Sequence, residues 1–390
     1  VSWDELNEHA QRLGCLLSLF ALAPIPWSLV ERSVKQQDLK SLENARVELE
    51  NLHLLQGEQI YHLHQIIREC FRNKYKNFAF VEEQKYSFCR ALVAVAQEIP
   101  DSPTQEFIES VRDTIPHLVE IAQNLTDEVS DENLMWVFVG IGRFYSAQRL
   151  YGLAEPWYEK CVSLAQTRLG EEHPYVAGSY NNLARLYSEQ GKNSEAEQLY
   201  IKALDLMQRL LGEDHPYTAS VYQNLARLYR FQGRNSEAEP LYIKTLELMK
   251  YLLGEDHPTV ANTYNNLAGL YYSQQRYTEA ERLYLKVLEL LKHRLGNEHP
   301  DVATSYNNLA EFYSSQRKYS EAAPLFQQAL KIYEQQLGID HLETMIVRKN
   351  YADFLHNYAS FLRNKPKCQL TIPDLCYQID FMSQSHKILY

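Results

Sequence analysis

Apolar residues recur at three- and four-residue spacing along most of the chain, so the sequence predicts amphipathic helices almost throughout. From about residue 131 the pattern becomes periodic. His-Pro stands at 173/174, 215/216, 257/258 and 299/300, and His341-Leu342 falls in the same register, a period of 42 residues. Between these marks run Tyr180-Asn-Asn-Leu-Ala-Arg-Leu-Tyr187, Tyr222-Gln-Asn-Leu-Ala-Arg-Leu-Tyr229, Tyr264-Asn-Asn-Leu-Ala-Gly-Leu-Tyr271 and Tyr306-Asn-Asn-Leu-Ala-Glu-Phe-Tyr313, with a worn copy from Phe138 to Tyr145. A second amphipathic stretch follows each, as from Ser194 to Leu204, so every unit is predicted to be a hairpin of two helices, A and B. Ala184 and Ala196 are small where A and B approach, while Tyr180, Leu183, Tyr187, Leu199 and Tyr200 fill the space around them. Gly212 suits the left-handed end of helix B, and Pro216 the first turn of the next helix A, where a missing N–H costs nothing. Gly170/Pro174, Gly254/Pro258 and Gly296/Pro300 repeat this punctuation.

The front of the chain lacks the period. Helical patterns at Asn7–Ala21, Trp27–Ser33 and Asp38–Glu50 lead into two short apolar runs within Leu52–Leu63, which predict a hairpin turning at Gly57, and a helix at Gln65–Tyr75 follows. Two or three further helices are broken at Pro100–Pro103 and Ile115-Pro116. The expected organisation is an N-terminal domain at 1–78, a helical spacer or N-terminal cap at 79–130, and a solenoid at 131–362. Its five repeats begin near Phe138, Tyr180, Tyr222, Tyr264 and Tyr306, and a last helix covers Glu343–Leu362. The tail, 363–390, has no period and is expected to be partly disordered.

Composition narrows the classes. At 390 residues, 45% apolar and 23% charged, the chain has enough apolar surface for two or three domains, which excludes disorder as its dominant state. Its net charge of −11 argues against a general grip on nucleic acid or anionic membrane and points to protein or small-molecule partners. The six cysteines form no CxxC and no dense framework, which fits a reducing compartment and a cytoplasmic location. Leu13–Ala23, the longest apolar run, is too short to span a bilayer and reads as a core helix. The chain starts at Val1 and is expected to be a piece of a longer protein.

The period, with LGEDHP and YNNLA in register, resembles the tetratricopeptide repeat (TPR), in the long variant found in kinesin light chains and many bacterial sensor proteins. That resemblance implies an all-α solenoid, a right-handed superhelix of helical hairpins, with the residues beyond the 34 of the standard unit lengthening helix B and its loop. At the front, Leu16-Leu-Ser-Leu-Phe-Ala-Leu-Ala-Pro-Ile-Pro-Trp27 and Tyr61-His-Leu-His-Gln-Ile-Ile-Arg-Glu-Cys70 look like the winged-helix domain, carrying a small β-hairpin, that follows the NB-ARC nucleotide-binding module in STAND-type signalling ATPases. Leu63-His64-Gln65 falls where that family carries Met-His-Asp, whose histidine senses the β-phosphate of ADP. The resemblance thus implies an ADP contact through His64, provided a nucleotide-binding module lies upstream. The alternative is an ordinary residue at a helix start. No Gly-x-x-x-x-Gly-Lys-Ser/Thr occurs, so no cofactor or nucleotide is expected to be held by this chain alone. DNA binding by the winged helix is disfavoured, because Asp38–Glu50 is acidic.

His173, His215, His257, His299 and His341 belong to different stacked units, about 10 Å apart, too far to share a metal ion, so no metal site is predicted. Cys368 and Cys376 read as incidental thiols, Glu213/Asp214 as solvated loop residues, and the repeat tyrosines as core. No nucleophile, base and oxyanion set appears, so no enzyme activity is expected. The polar exception is a helix A column, Asn182, Asn224, Asn266, Asn308 and Asn350, on the face opposite helix B. It is suited either to the backbone of an extended peptide or to hydrogen bonds between repeats. Three residues on stand Arg143, Arg185 and Arg227, then Gly269, Glu311 and Asp353. A groove positive at one end and negative at the other follows, with an acidic segment over the arginines. The bland alternative pairs the arginines with neighbouring carboxylates. The reading is a protein–protein interaction region, the ligand-sensing part of a STAND-type protein. Its alternatives are a freestanding kinesin-light-chain-like adaptor and the regulatory region of an enzyme whose catalytic domain lies elsewhere.

Overall fold

A computed structural model describes residues 3–75, 80–101, 103–339 and 341–363. The tail expectation, with Cys368 and Cys376, falls outside these residues. The chain divides into two compact units, one ending at Leu210 and one beginning at Leu211.

The first unit opens with α1 (Glu8–Leu19), β1 (Ile25–Pro26), α2 (Trp27–Arg32), α3 (Leu39–Asn51), β2 (Gln56–Gly57), β3 (Ile60–His62) and α4 (Gln65–Tyr75). Helices and hairpin stand where the pattern places them, and the chain adds β1. That strand pairs antiparallel with β3, Ile25 opposite Tyr61, giving a three-stranded sheet in the order β1-β3-β2. Asn7 caps α1 by accepting the Ala10 N–H at 2.9 Å. Leu16, Leu17, Phe20, Ile25 and Tyr61 are almost wholly buried in the core between the sheet and the helices. The Tyr61 hydroxyl escapes an unsatisfied burial by accepting from Arg46 Nη1 at 2.8 Å.

Then come α5 (Val81–Glu98), α6 (Gln105–Val111) and α7 (Ile115–Asn124), followed by two hairpins, α8 (Leu134–Ala147) with α9 (Tyr151–Leu169) and α10 (Pro174–Glu189) with α11 (Asn193–Leu211). His117 on α7 is fully buried and tied to the front of the chain. Its Nδ1 accepts the Ala21 N–H at 3.1 Å, and its Nε2 reaches the Pro24 carbonyl at 2.9 Å. These two bonds require the neutral Nε2–H tautomer. Burial holds the imidazole down at about 4. Glu120 on the same helix receives Arg72 at 2.6 Å and the buried Arg68 at 3.1 Å, so α4 is tied to α7 by charge.

The second unit holds α12 (Pro216–Phe231), α13 (Asn235–Leu253), α14 (Pro258–Ser273), α15 (Tyr277–Leu295), α16 (Pro300–Ser315), α17 (Tyr319–Gln336) and α18 (Leu342–Arg363). Helix A is 16 residues long in α12, α14 and α16, and helix B is 19 in α13 and α15, longer as the period implies. Ala226 and Ala238, Ala268 and Ala280, and Ala310 and Ala322 are wholly buried at the A–B contacts, which lets each hairpin close. Gly254, at φ 84°, ends α13 in a conformation that disfavours any Cβ. The repeated histidines are helix caps. Each Nδ1 accepts the N–H two residues on, at 3.2 Å for His215 and His257 and 3.1 Å for His299. This satisfies an amide that the adjoining proline cannot help to bond.

Candidate functional site

Helix A carries the candidate residues in both units, but they meet different neighbours. In the first unit Arg143 (α8) and Arg185 (α10) are joined by Asp101, from the linker between α5 and α6. Arg143 pairs with the Asp101 carboxylate and donates to the Ile99 carbonyl at 2.7 Å. Arg185 Nη1 donates to the Asp101 carbonyl at 3.2 Å, with Nη2 3.6 Å from the carboxylate. Both arginine side chains are only 13% exposed, whereas Asp101 is 65% exposed. The bland alternative therefore describes two of the three arginines, with the linker rather than a repeat supplying the carboxylate. Gly142 makes room for the arrangement, since a Cβ there would fall 2.5 Å from the Tyr158 ring. Burial raises the pKa of the Tyr158 phenol, and the charges of Arg185 and Arg143 oppose that rise.

In the second unit the asparagines form part of a ladder between repeats. Asn308 Nδ2 donates to Asn265 Oδ1 at 3.2 Å, and Asn350 Nδ2 to Asn307 Oδ1 at 3.3 Å. Asn350 also reaches Glu311 Oε1 at 2.5 Å, where Asn307 donates at 2.9 Å. Both readings of the column thus keep support: Asn308 and Asn350 bond helix A of the preceding repeat, and Asn266 and Asn308 line a hollow. This hollow encloses about 530 Å³ between α12, α14 and α16, and Arg230, Asn265, Gly269, Tyr272, Tyr284 and Glu311 complete its polar lining. Gly269 leaves its floor bare: a Cβ there would sit 3.4 Å from Arg230 Nη1 and 3.8 Å from the Tyr284 hydroxyl. Arg230 lies 4.9 Å over the Phe231 ring, and its buried Nε has no hydrogen-bond partner. Neither Arg227 nor Arg230 has an ion pair among the described residues. Glu311 is open to solvent at the hollow's rim. The protein around it nevertheless holds its carboxyl above the usual range, the Asn307 bond pulling back only in part. Burial pushes the Tyr284 phenol up to about 12, with Arg230 and Glu311 acting on it in opposite directions.

Arg230, Tyr284 and Asp101 were not candidates in the sequence. Arg230 carried a signal, since it lies one helical turn beyond Arg227 and so shares its face. Asp101 carried none, being 42 residues from Arg143 and 84 from Arg185. Asn182 and Asn224 are half-buried on their helices. His64 is exposed, and its Nδ1 accepts the Ile66 N–H at 3.2 Å, the same capping geometry as the repeat histidines. Among the described residues no group of His, Cys, Asp or Glu could hold a metal ion, and no helix is long and apolar enough to cross a membrane.

Several solved structures are similar in fold. BtubC (BKLC) from P. vanneervenii is 24% identical over 59% of this chain and 91% of its own, with a TM-score of 0.49. A putative kinesin light chain of Podosopora anserina with nearly identical TPR-like repeats is 26% identical, covering 50% of this chain and 93% of its own, at 0.44. A STAND protein with a tetratricopeptide repeat sensor from Pyrococcus horikoshii is 17% identical and covers 98% of this chain at a TM-score of 0.53, while this chain spans 58% of that protein. No curated protein is similar enough in sequence to count as a relative. The profile of the tetratricopeptide repeat matches residues 133–201, 189–250, 225–293, 259–335 and 301–356, more than half of the sequence. With its A–B hairpins, alanine contacts and capped helix ends in the same register, the chain belongs to the tetratricopeptide repeat family.

Proposed function

We propose that this chain is the ligand-sensing region of a STAND-type signalling NTPase, which recognises a protein segment on its helix A faces and adjoins a nucleotide-binding module upstream of Val1. One observation carries the reading: the similarity to the STAND protein runs through the front elements as well as the repeats, over 98% of the chain. The order helix, strand, two helices, hairpin, helix fits a winged-helix domain at 1–78, followed by the spacer at 79–130 and the sensor at 131–362. In this reading Asn182, Asn224, Asn266, Asn308 and Asn350 hold ligand backbone. Arg227 meets an acidic side chain, and Arg143 and Arg185 are engaged within the chain by Asp101. His64 holds the off state by contacting ADP. The test is the full-length protein: a phosphate loop upstream of Val1, and basal nucleotide exchange that rises several-fold in His64→Ala, support the reading. Unchanged exchange reduces His64 to its capping bond, and a full-length protein without a nucleotide-binding module removes the STAND assignment.

A further inference from the structure

Two opposite charges face the hollow of the second unit from different helices, Arg230 on α12 and Glu311 on α16, without forming an ion pair with each other. Each is incompletely satisfied. Arg230 has a buried Nε that donates to nothing, and no carboxylate of the described residues pairs with its guanidinium. The Tyr242 phenol lies close enough for the guanidinium to oppose the rise that burial causes in its pKa. Glu311 receives both amide donors, Asn307 and Asn350, on Oε1, so Oε2 is left to another donor. Between the two charges lie Asn266, Asn308 and the bare backbone of Gly269. An unpaired cation and an unpaired anion on opposite walls of a polar hollow cannot both be completed by a simple anion. They match a ligand carrying both signs.

We propose that this hollow is a subsite for a dipolar stretch of extended polypeptide, which sets an acidic side chain on Arg230 and a basic side chain on Glu311, its backbone passing over Asn266 and Asn308. The proposal rests on reading helix A as the ligand face. The spacing follows from the fold. Helices packed about 8–10 Å apart put the axes of α12 and α16 roughly 16–20 Å apart. With two side chains reaching inward, roughly 8–12 Å remains, about three or four residues of extended chain. The exposed Tyr272 and Ser315 leave the rim open, so a chain can pass through rather than end there.

The experiment uses the full chain and blocked, fluorescein-labelled Gly/Ser peptides in which a Glu and a Lys stand four residues apart. A Glu/Glu analogue and a Gln/Gln analogue serve as references, all read by fluorescence anisotropy to millimolar concentration. The dipolar peptide should bind at least tenfold more tightly than either analogue. Arg230→Gln and Glu311→Gln should each weaken it fivefold or more, and Glu311→Gln should strengthen the Glu/Glu analogue. Gly269→Leu, which fills the floor beside Arg230 without removing a charge and improves a helical position, should abolish binding in a chain that melts normally. Equal binding of the dipolar and Glu/Glu peptides, no saturable dipolar binding, or binding unmoved by all three variants overturns the subsite. A benzophenone at the peptide centre separates this failure from that of the wider reading. Cross-links on helix A faces with unmoved affinities leave the ligand face standing, whereas cross-links on helix B remove both.

Discussion

Arginines on helix A have opposite fates in the two units. In the first, Arg143 and Arg185 are mostly buried and closed by a carboxylate and two carbonyls of the α5–α6 linker. In the second, neither Arg227 nor Arg230 has an ion pair among the described residues, and Arg230 faces a hollow. Arginines of helix A are therefore engaged within the chain in one unit and left without an ion pair in the other. What separates them is the neighbouring segment: a linker with an aspartate covers the first pair, and a glycine bares the floor beside Arg230. An intact charge-assisted contact is worth about 1.5–3 kcal/mol. In the first unit that interaction contributes to folding.

Acid should separate the units most strongly. His117 must be neutral to accept the Ala21 N–H, and its folded pKa of about 4 lies below the ordinary 6.5. The unfolded chain therefore takes up the proton first, and stability present above pH 6.5 is lost as the pH falls toward 4, by about 3 kcal/mol. Arg68, Asp113 and Glu120 surround the ring, Arg68 opposing its protonation and the two acids favouring it. Glu311 has the opposite sign. Its raised pKa favours the folded second unit once the carboxyl is protonated, and this contribution fades as the pH rises through the raised value. Hydrogen exchange followed from pH 7 to pH 4 should show protection falling first around α1, α7 and the Ala21 amide, and His117→Gln should flatten that loss. Earlier loss in α14 to α16 would break the distinction.

The linker contact should show the next largest effect. Asp101→Ala leaves two poorly solvated guanidinium groups facing each other and should lower the stability of the first unit by about 1–2 kcal/mol, reduced from a fully buried pair because Asp101 is itself exposed. Arg230→Gln removes no ion pair and should move stability by no more than about 0.5 kcal/mol, as for a substitution outside any network. Urea titrations of the two variants make that contrast a number. Smallest of all, Glu311→Gln keeps an oxygen for Asn307 and Asn350 and should stay within about 0.5 kcal/mol of the parent. A larger loss would mean that Glu311 is structural and not set aside for a ligand.

Local signals in the sequence were read correctly where the physics was local. Helix periodicity, the alanine contacts, the glycine ends and the proline starts all act within one hairpin, so the register of the repeats could be taken from the residues alone. The front helices and the turn at Gly57 were legible for the same reason. β1 was not, because two residues, Ile25 and Pro26, carry no alternation of their own and become a strand only by pairing with β3. The histidine column was placed in structural loops, but its capping role was hidden because the usual cap residues are Ser, Thr, Asp and Asn. In the candidate site the columns are legible as helix A positions, and their partners are not. The closure of Arg143 and Arg185 depends on a loop contact far away in sequence. The hollow depends on the side chain that Gly269 lacks, which looks in the sequence like a mere interruption of a charged column.

The central claim, that the linker closes the first unit's arginines, is tested most directly by a double-mutant cycle of Asp101→Asn and Arg143→Met, with stability read by urea unfolding of both single variants and the pair. A favourable coupling of about 1 kcal/mol or more is expected, as for groups within one hydrogen-bonded charge network. Additive changes, with coupling indistinguishable from zero, would contradict it and leave Arg143 and Arg185 without a structural role.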